Sequence, residues 1–220
     1  MKKLCLFTWL LISINLTAQT DYSQSWEDFY SYNNVKDFEK VVNTIFAVTD
    51  NAVFSYDVIS KTSQKMSSVS GFSGETTSAL HYSEAHNKLV IGYENGLLEI
   101  LDAEGRITIA ADIVNFDQSG EKGISAIYEH NNKLYLATPF AIIVYDIAAL
   151  EFGDTYFIGS GSSSLRINDV LVFNDKIYAA TEKGIYTANT NSQSLIDFNN
   201  WTQQFQGDYS HISVFQNKIY

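Results

Sequence analysis

Three features of this 220-residue sequence predict an all-β chain. A segment recurs at a nearly constant interval, each copy is built from alternating or continuously apolar runs of Val, Ile, Leu, Tyr and Phe, and Asn, Asp and Gly punctuate the copies at matching offsets. The recurring segment reads Asn87-Lys88-Leu89-Val90-Ile91-Gly92-Tyr93, then Asn132-Lys133-Leu134-Tyr135-Leu136-Ala137-Thr138, then Asp175-Lys176-Ile177-Tyr178-Ala179-Ala180-Thr181, and opens again at Asn217-Lys218-Ile219-Tyr220. A more divergent copy is Thr44-Ile45-Phe46-Ala47-Val48-Thr49. With Ile45, Leu89, Leu134, Ile177 and Ile219 as equivalents, the spacings are 44, 45, 43 and 42 residues. A helical solenoid of similar period would place apolar residues three and four apart, which these runs do not. Four short antiparallel strands in 40 to 45 residues make one blade of a β-propeller.

The elements follow in order within each period. A first strand is predicted at Ala79–Tyr82, Ser125–Tyr128, Val170–Phe173 and Ile212–Phe215. A tight hairpin comes next, where Asn or Asp tolerates the left-handed backbone and the following lysine is expected to be solvated. The second strand carries small residues, Ala47, Gly92, Ala137 and Ala179, suited to a crowded part of the blade. Turns at Glu94-Asn95-Gly96 and Glu182-Lys183-Gly184 use glycine where positive φ is required, and a third strand such as Leu97–Leu101 leads to Asp102. A fourth run, as at Arg106–Ile109, completes the blade. The expected domain plan is a segment 1–18 for export, an N-terminal lead-in 19–43, and a partial propeller 44–220 of about four blades plus the start of a fifth. Because propellers close on themselves, the chain is expected to be a fragment with an unpaired edge, an aggregation hazard in isolation.

Residues 1–18 fit a secretory signal peptide: Lys2 and Lys3 precede an apolar run from Leu4 to Leu16, and Leu16-Thr17-Ala18 supplies small residues ahead of Gln19. The run is shorter than the roughly 20 residues a membrane span needs, so no transmembrane segment is predicted. The one cysteine, Cys5, lies at the front of this run, so the mature chain is expected to have no thiol and a core large enough to hold without disulfides. A bacterial periplasm or cell surface is the compartment that fits. Asn200-Trp201-Thr202 forms a glycosylation triplet of a kind that arises often by chance. Removal of residues 1–18 moves the formal charge from -11 to -13, since two lysines leave and no acid does. Nucleic acid is excluded as a partner, because a phosphate-binding face needs clustered Lys and Arg.

The stretch Trp26-Glu27-Asp28-Phe29-Tyr30-Ser31-Tyr32, followed by Ile45–Thr49 and by Leu89-Val90-Ile91-Gly92-Tyr93-Glu94-Asn95-Gly96, resembles the PorZ N-terminal propeller family of the type IX secretion system of Bacteroidetes. The resemblance implies a signal peptide, two propellers and a small C-terminal β domain. It also implies a place in the outer-membrane attachment complex, beside a sortase and partners that couple cargo to anionic lipopolysaccharide. With no second propeller or C-terminal domain here, the implied role is that of a non-enzymatic scaffold that binds protein partners or surface lipopolysaccharide. Propellers of two-component regulators share a Gly-Thr-x-x-Gly-Leu pattern, approximated by Gly92–Leu97, but usually carry tryptophan where this chain has Val90, Tyr135 and Tyr178. A sensor propeller of a histidine kinase is therefore the alternative.

Residue types that carry catalysis do not converge in the sequence. His86 and His130 fall in the same hairpin of successive blades and are expected to be exposed, while His81 and His211 fall in or beside first strands, and no second histidine stands at metal-binding spacing. The run Gly159–Ser164 lacks the lysine and helix of a phosphate loop and reads as a loop between strands. Asp57, Asp102 and Asp146 close the third strand in three blades and are expected to cap turns; the fuller spacing of a calcium loop is missing. The 14 Tyr, 14 Phe and 3 Trp are expected to fill the space between blades. No catalytic, cofactor-binding or metal residues are assigned, and no cofactor is expected. A lyase or glycosidase propeller would require carboxylates or histidines converging at the central channel.

Overall fold

The computed structural model describes residues 29–220, so the signal peptide predicted for 1–18 and the first residues of the aromatic lead-in lie outside the described residues. The described residues form four four-stranded antiparallel sheets and a two-stranded one, each in simple sequential strand order. Blade one holds β1 (Asp37–Val41), β2 (Thr44–Val48), β3 (Val53–Asp57) and β4 (Thr62–Met66). Blade two holds β5 (Thr77–Ser83), β6 (Lys88–Tyr93), β7 (Leu98–Leu101) and β8 (Ile107–Ala110), followed by one helical turn, α1 (Asp112–Asn115). Blade three holds β9 (Ala126–His130), β10 (Lys133–Ala137), β11 (Ile142–Asp146) and β12 (Glu151–Tyr156). Blade four holds β13 (Ile167–Phe173), β14 (Lys176–Thr181), β15 (Gly184–Asn189) and β16 (Thr202–Gln206), and β17 (Val214–Phe215) with β18 (Lys218–Ile219) opens a fifth unit. Strand β1 lies inside the segment 19–43, so the first blade begins ahead of Thr44.

The hairpins form as the asparagines predict. Asn131 and Asn132, Asn174 and Asp175, and Gln216 and Asn217 all have φ between 47° and 61°, the paired positive φ of a two-residue turn that matches strand twist. Gly96 has φ 88°, and a Cβ there would lie 2.7 Å from Ile113 Cγ2 and 2.8 Å from Lys122 O, so conformation and space both demand glycine.

The core is a series of apolar layers between neighbouring blades. Val48, Val53 and Met66 of blade one meet Leu80, Leu89 and Ile91 of blade two. The opposite face of blade two, with Val90, Leu98 and Ile100, meets Leu134, Leu136 and Ile143 of blade three. Tyr135, Ile142 and Val144 on the other side of blade three then meet Val170, Ile177 and Trp201 of blade four. Successive residues of a strand point to opposite faces, so a strand buried on both sides reads as a continuous apolar run. Gly92 shows how close the layers come, since a Cβ on it would sit 3.0 Å from Ile124. The small residues Ala47, Ala137 and Ala179 are likewise buried, though Ala47 and Ala179 occupy a position one residue earlier than Gly92 and Ala137 and so face the other layer. Aromatic rings bridge blades as expected: Phe46 stacks on Tyr82 at 5.2 Å, and Tyr156 packs against Trp201 at 6.1 Å.

Candidate functional site

The first strands β1, β5, β9 and β13 stand side by side, each forming the inner edge of its sheet. An edge strand leaves one row of N–H and C=O groups without a sheet partner, and buried backbone groups must find one. Side chains of the neighbouring blade supply it. Asp37 Oδ2 accepts from Leu80 N at 2.8 Å, Glu39 Oε2 from Tyr82 N at 2.6 Å, and Asp169 Oδ2 from Ile212 N at 3.1 Å. Donors serve the carbonyls in the same way: Ser78 Oγ reaches Ile124 O at 2.6 Å, Ser125 Oγ reaches Ile167 O at 2.9 Å, and Asn168 Nδ2 reaches Tyr209 O at 2.8 Å. Ser78 and Asn168 are aimed there by register shifts in β5 and β13, each flanked by paired residues on either side.

These strands wall a cavity of about 520 Å³ lined by Asp37, Glu39, His81, Tyr128, Glu129 and Asp169 among others. Its central feature is His81. Nδ1 lies 3.3 Å from Glu39 Oε2 on β1, and Nε2 lies 2.9 Å from Glu129 Oε2 on β9, while Glu129 Oε1 accepts from Ser83 Oγ at 3.0 Å. Burial works against a charge on this imidazole, but the two carboxylates outweigh it and hold the group above the ordinary histidine value. Burial pushes the Asp37 and Asp169 carboxyls up, against the pull of their backbone hydrogen bonds.

The three residues His81, Glu39 and Glu129 thus converge at the channel wall, a grouping that sequence reading did not assemble. Its one trace in the sequence is that Glu39, His81 and Glu129 are polar residues standing within first strands. Each carboxylate is already engaged by backbone, serine or imidazole, and among the described residues no group of three or more His, Asp or Glu is placed to hold a metal ion. His211 stands near Asp169, with Nδ1 3.7 Å from Oδ2.

Elsewhere two expectations are corrected. His86 and His130 are half-buried rather than exposed: His86 Nε2 meets Asn132 Oδ1 of the next blade at 3.1 Å, and His130 ends strand β9 beside Asn131. Lys133, Lys176 and Lys218 are exposed, but Lys88 is not simply solvated, because its ammonium donates to Ile147 O of blade three at 2.9 Å. The three aspartates do cap turns. Asp57 accepts from Ile59 and Ser60, Asp102 from Glu104 and Arg106, and Asp146 from Ala148 and Ala149, and these backbone donors hold the three carboxyls below the ordinary range. The Gly159–Ser164 loop closes on itself through a bridge between Gly159 and Ser163.

Sequential four-stranded sheets, first strands at the centre and side-chain lacing between blades define a β-propeller whose polar inner wall is committed to holding the blades together. The family description "TSS9, PorZ, N-terminal beta-propeller domain" matches residues 45–202, and the chain belongs to that family. Among solved structures it is similar to PorZ, a surface component of the type IX secretion system of Porphyromonas gingivalis, at 23% identity and a TM-score of 0.72, covering 84% of this chain and 25% of that one. The chain therefore spans about a quarter of that protein's length. It is also similar to the extracellular domain described as that of a hybrid two component system, BT4673, from B. thetaiotaomicron, at 13% identity and a TM-score of 0.68, covering 84% and 25%. A third likeness is to Saccharomyces cerevisiae Sqt1, at 13% identity and 0.63, covering 84% and 54%. Comparison with curated proteins gives no match. No helix among the described residues is long and apolar enough to cross a membrane.

Proposed function

We propose that this chain is the scaffold propeller of a non-enzymatic accessory component of type IX secretion, exported to the periplasm or outer-membrane surface, where it docks protein partners of the attachment complex. Membership of the PorZ propeller family carries the reading. The engagement of Asp37, Glu39, Glu129 and Asp169 in blade-to-blade hydrogen bonds supports the absence of catalysis, since a general acid or base needs a carboxyl free to meet substrate. An excess of acids, 25 against 14 basic residues, favours a partner with a basic face over anionic lipopolysaccharide, which is the second ligand class of the same reading.

The test is crosslinking and affinity capture of the full-length protein from outer membranes, with purified lipopolysaccharide offered separately in a binding assay. Co-capture of secretion-system components with salt-sensitive association is expected. A full-length protein that fractionates with the inner membrane and carries a kinase domain would replace this reading with that of a sensor propeller, and unaided turnover of a glycan would overturn it.

A further inference from the structure

We propose that His81 is a proton-operated clasp that ties the inner strands of the first three blades together, closed while the imidazole is protonated and loosened when it is neutral. The geometry suits a cation. Imidazolium donates from both ring nitrogens, whereas neutral imidazole donates from one and turns a lone pair on whatever faces the other. Here both nitrogens face carboxylates, Glu39 on β1 and Glu129 on β9, on either side of β5. A neutral ring leaves one of them opposed by a lone pair.

The surroundings do not compensate for a lost proton. From β1 the cavity is also lined by Asp37, from β13 by Asp169, and from the segment ahead of β17 by His211. Tyr128 on β9 is a further lining group, its hydroxyl donating to Val172 O. Lys36 lines the cavity as well, but its ammonium is held by Glu94 at 2.7 Å and Asp50 at 3.4 Å. Deprotonation of His81 takes the Glu39–His81–Glu129 group from a net charge of about −1 to about −2 in a partly desolvated wall. Glu39 also accepts the Tyr82 amide, so repulsion between the carboxylates draws on a hydrogen bond that anchors β5 to β1.

The sign follows from linkage: a histidine raised by its partners contributes fully below the unfolded value near 6.5, and the contribution is lost as pH rises through the folded midpoint. The experiment is an NMR titration of the His81 ring protons in the full chain, paired with hydrogen exchange of the Tyr82 amide corrected for its intrinsic rate. A midpoint above 6.5 is expected, moving down toward it in Glu129→Gln, with Tyr82 protection falling about tenfold or more across the midpoint, the scale of a lost charge-assisted hydrogen bond. The wild-type titration needs no variant to fold. A midpoint at or below 6.5, or Tyr82 protection indifferent to it, overturns the clasp.

Discussion

Asp37 and Asp169 stand at the same position of blades one and four, and each accepts the backbone N–H of the residue 43 places further along, Leu80 and Ile212 respectively. In these two blades, though not at the equivalent Ala79 and Ala126 of blades two and three, an acceptor stands at the inner edge where the following unit has a donor to satisfy. Alanine at either position leaves that N–H without a partner, and urea denaturation is expected to show a loss of about 1–3 kcal/mol.

Asparagine separates the acceptor from the charge. Burial lifts both aspartates above the ordinary value of 3.8, so the unfolded chain ionises more readily and stability falls as pH rises from 3.8 through the folded midpoints. Asp37→Asn with Asp169→Asn keeps an acceptor and removes the titration. Stability measured across the acid range is expected to lose that downward slope, while at neutral pH the pair stays within about 1 kcal/mol of wild type.

Glu99 departs from the pattern of its repeat. Phe54, Ile143 and Tyr186 fill its place in the other blades, yet it is fully buried, accepting from the Tyr93 hydroxyl and from Ser73 N at 2.9 Å. Tyr93 itself replaces the threonine that turns back on the following turn at Thr49, Thr138 and Thr181, and burial with the neighbouring carboxylate raises its phenol strongly. Tyr93→Phe is expected to cost about 1.5–3 kcal/mol by depriving Glu99 of a donor. Glu99→Ile added to it should recover part of the loss, and a double-mutant cycle without coupling would count against the pairing.

At the Glu94–Gly96 turn, Gly96→Ala must adopt φ 88° and displace Ile113 or the Lys122 carbonyl. Left-handed strain and overpacking together are expected to cost on the order of 2–4 kcal/mol in a chemical unfolding curve. Gly105→Ala, at φ 83° with nothing within 4 Å, carries the strain alone and should cost about 1–2 kcal/mol.

Trp201 is 7% exposed, wedged between blades three and four, and donates its indole N–H to Leu195 O at 2.9 Å. Trp201→Ala is expected to lose about 3–5 kcal/mol, measured by circular dichroism so that the readout does not depend on the removed fluorophore. Trp201→Phe should retain most of the packing and cost about 1 kcal/mol through the unpaired carbonyl.

Periodicity made the blades legible in the sequence. Asn174-Asp175 and Gln216-Asn217 marked their hairpins, and the continuous apolar runs marked strands buried on two faces. Strand β1 escaped because Asp37-Phe38-Glu39-Lys40-Val41 alternates charge with apolar residues and resembles a solvated stretch; its acids are explained only by the strand of the next blade. His81, Glu39 and Glu129 were out of reach for the same reason. They come from three different blades, and no local spacing relates residues that meet through the curvature of a ring. The half-burial of His86 depended likewise on Asn132, 46 residues away.

Among the described residues, every blade-to-blade hydrogen bond along the inner wall joins a unit to its immediate successor in the chain. As the polypeptide emerges from the ribosome N-terminus first, blade one can present Asp37, Glu39 and the Thr49 carbonyl before Leu80, Tyr82 and Thr77 arrive to meet them. Each finished sheet is then a template for the one behind it, and assembly proceeds like a zipper whose pitch is one repeat. The long-range closure that slows many all-β proteins is divided into steps of some forty residues, each rewarded as soon as it is taken.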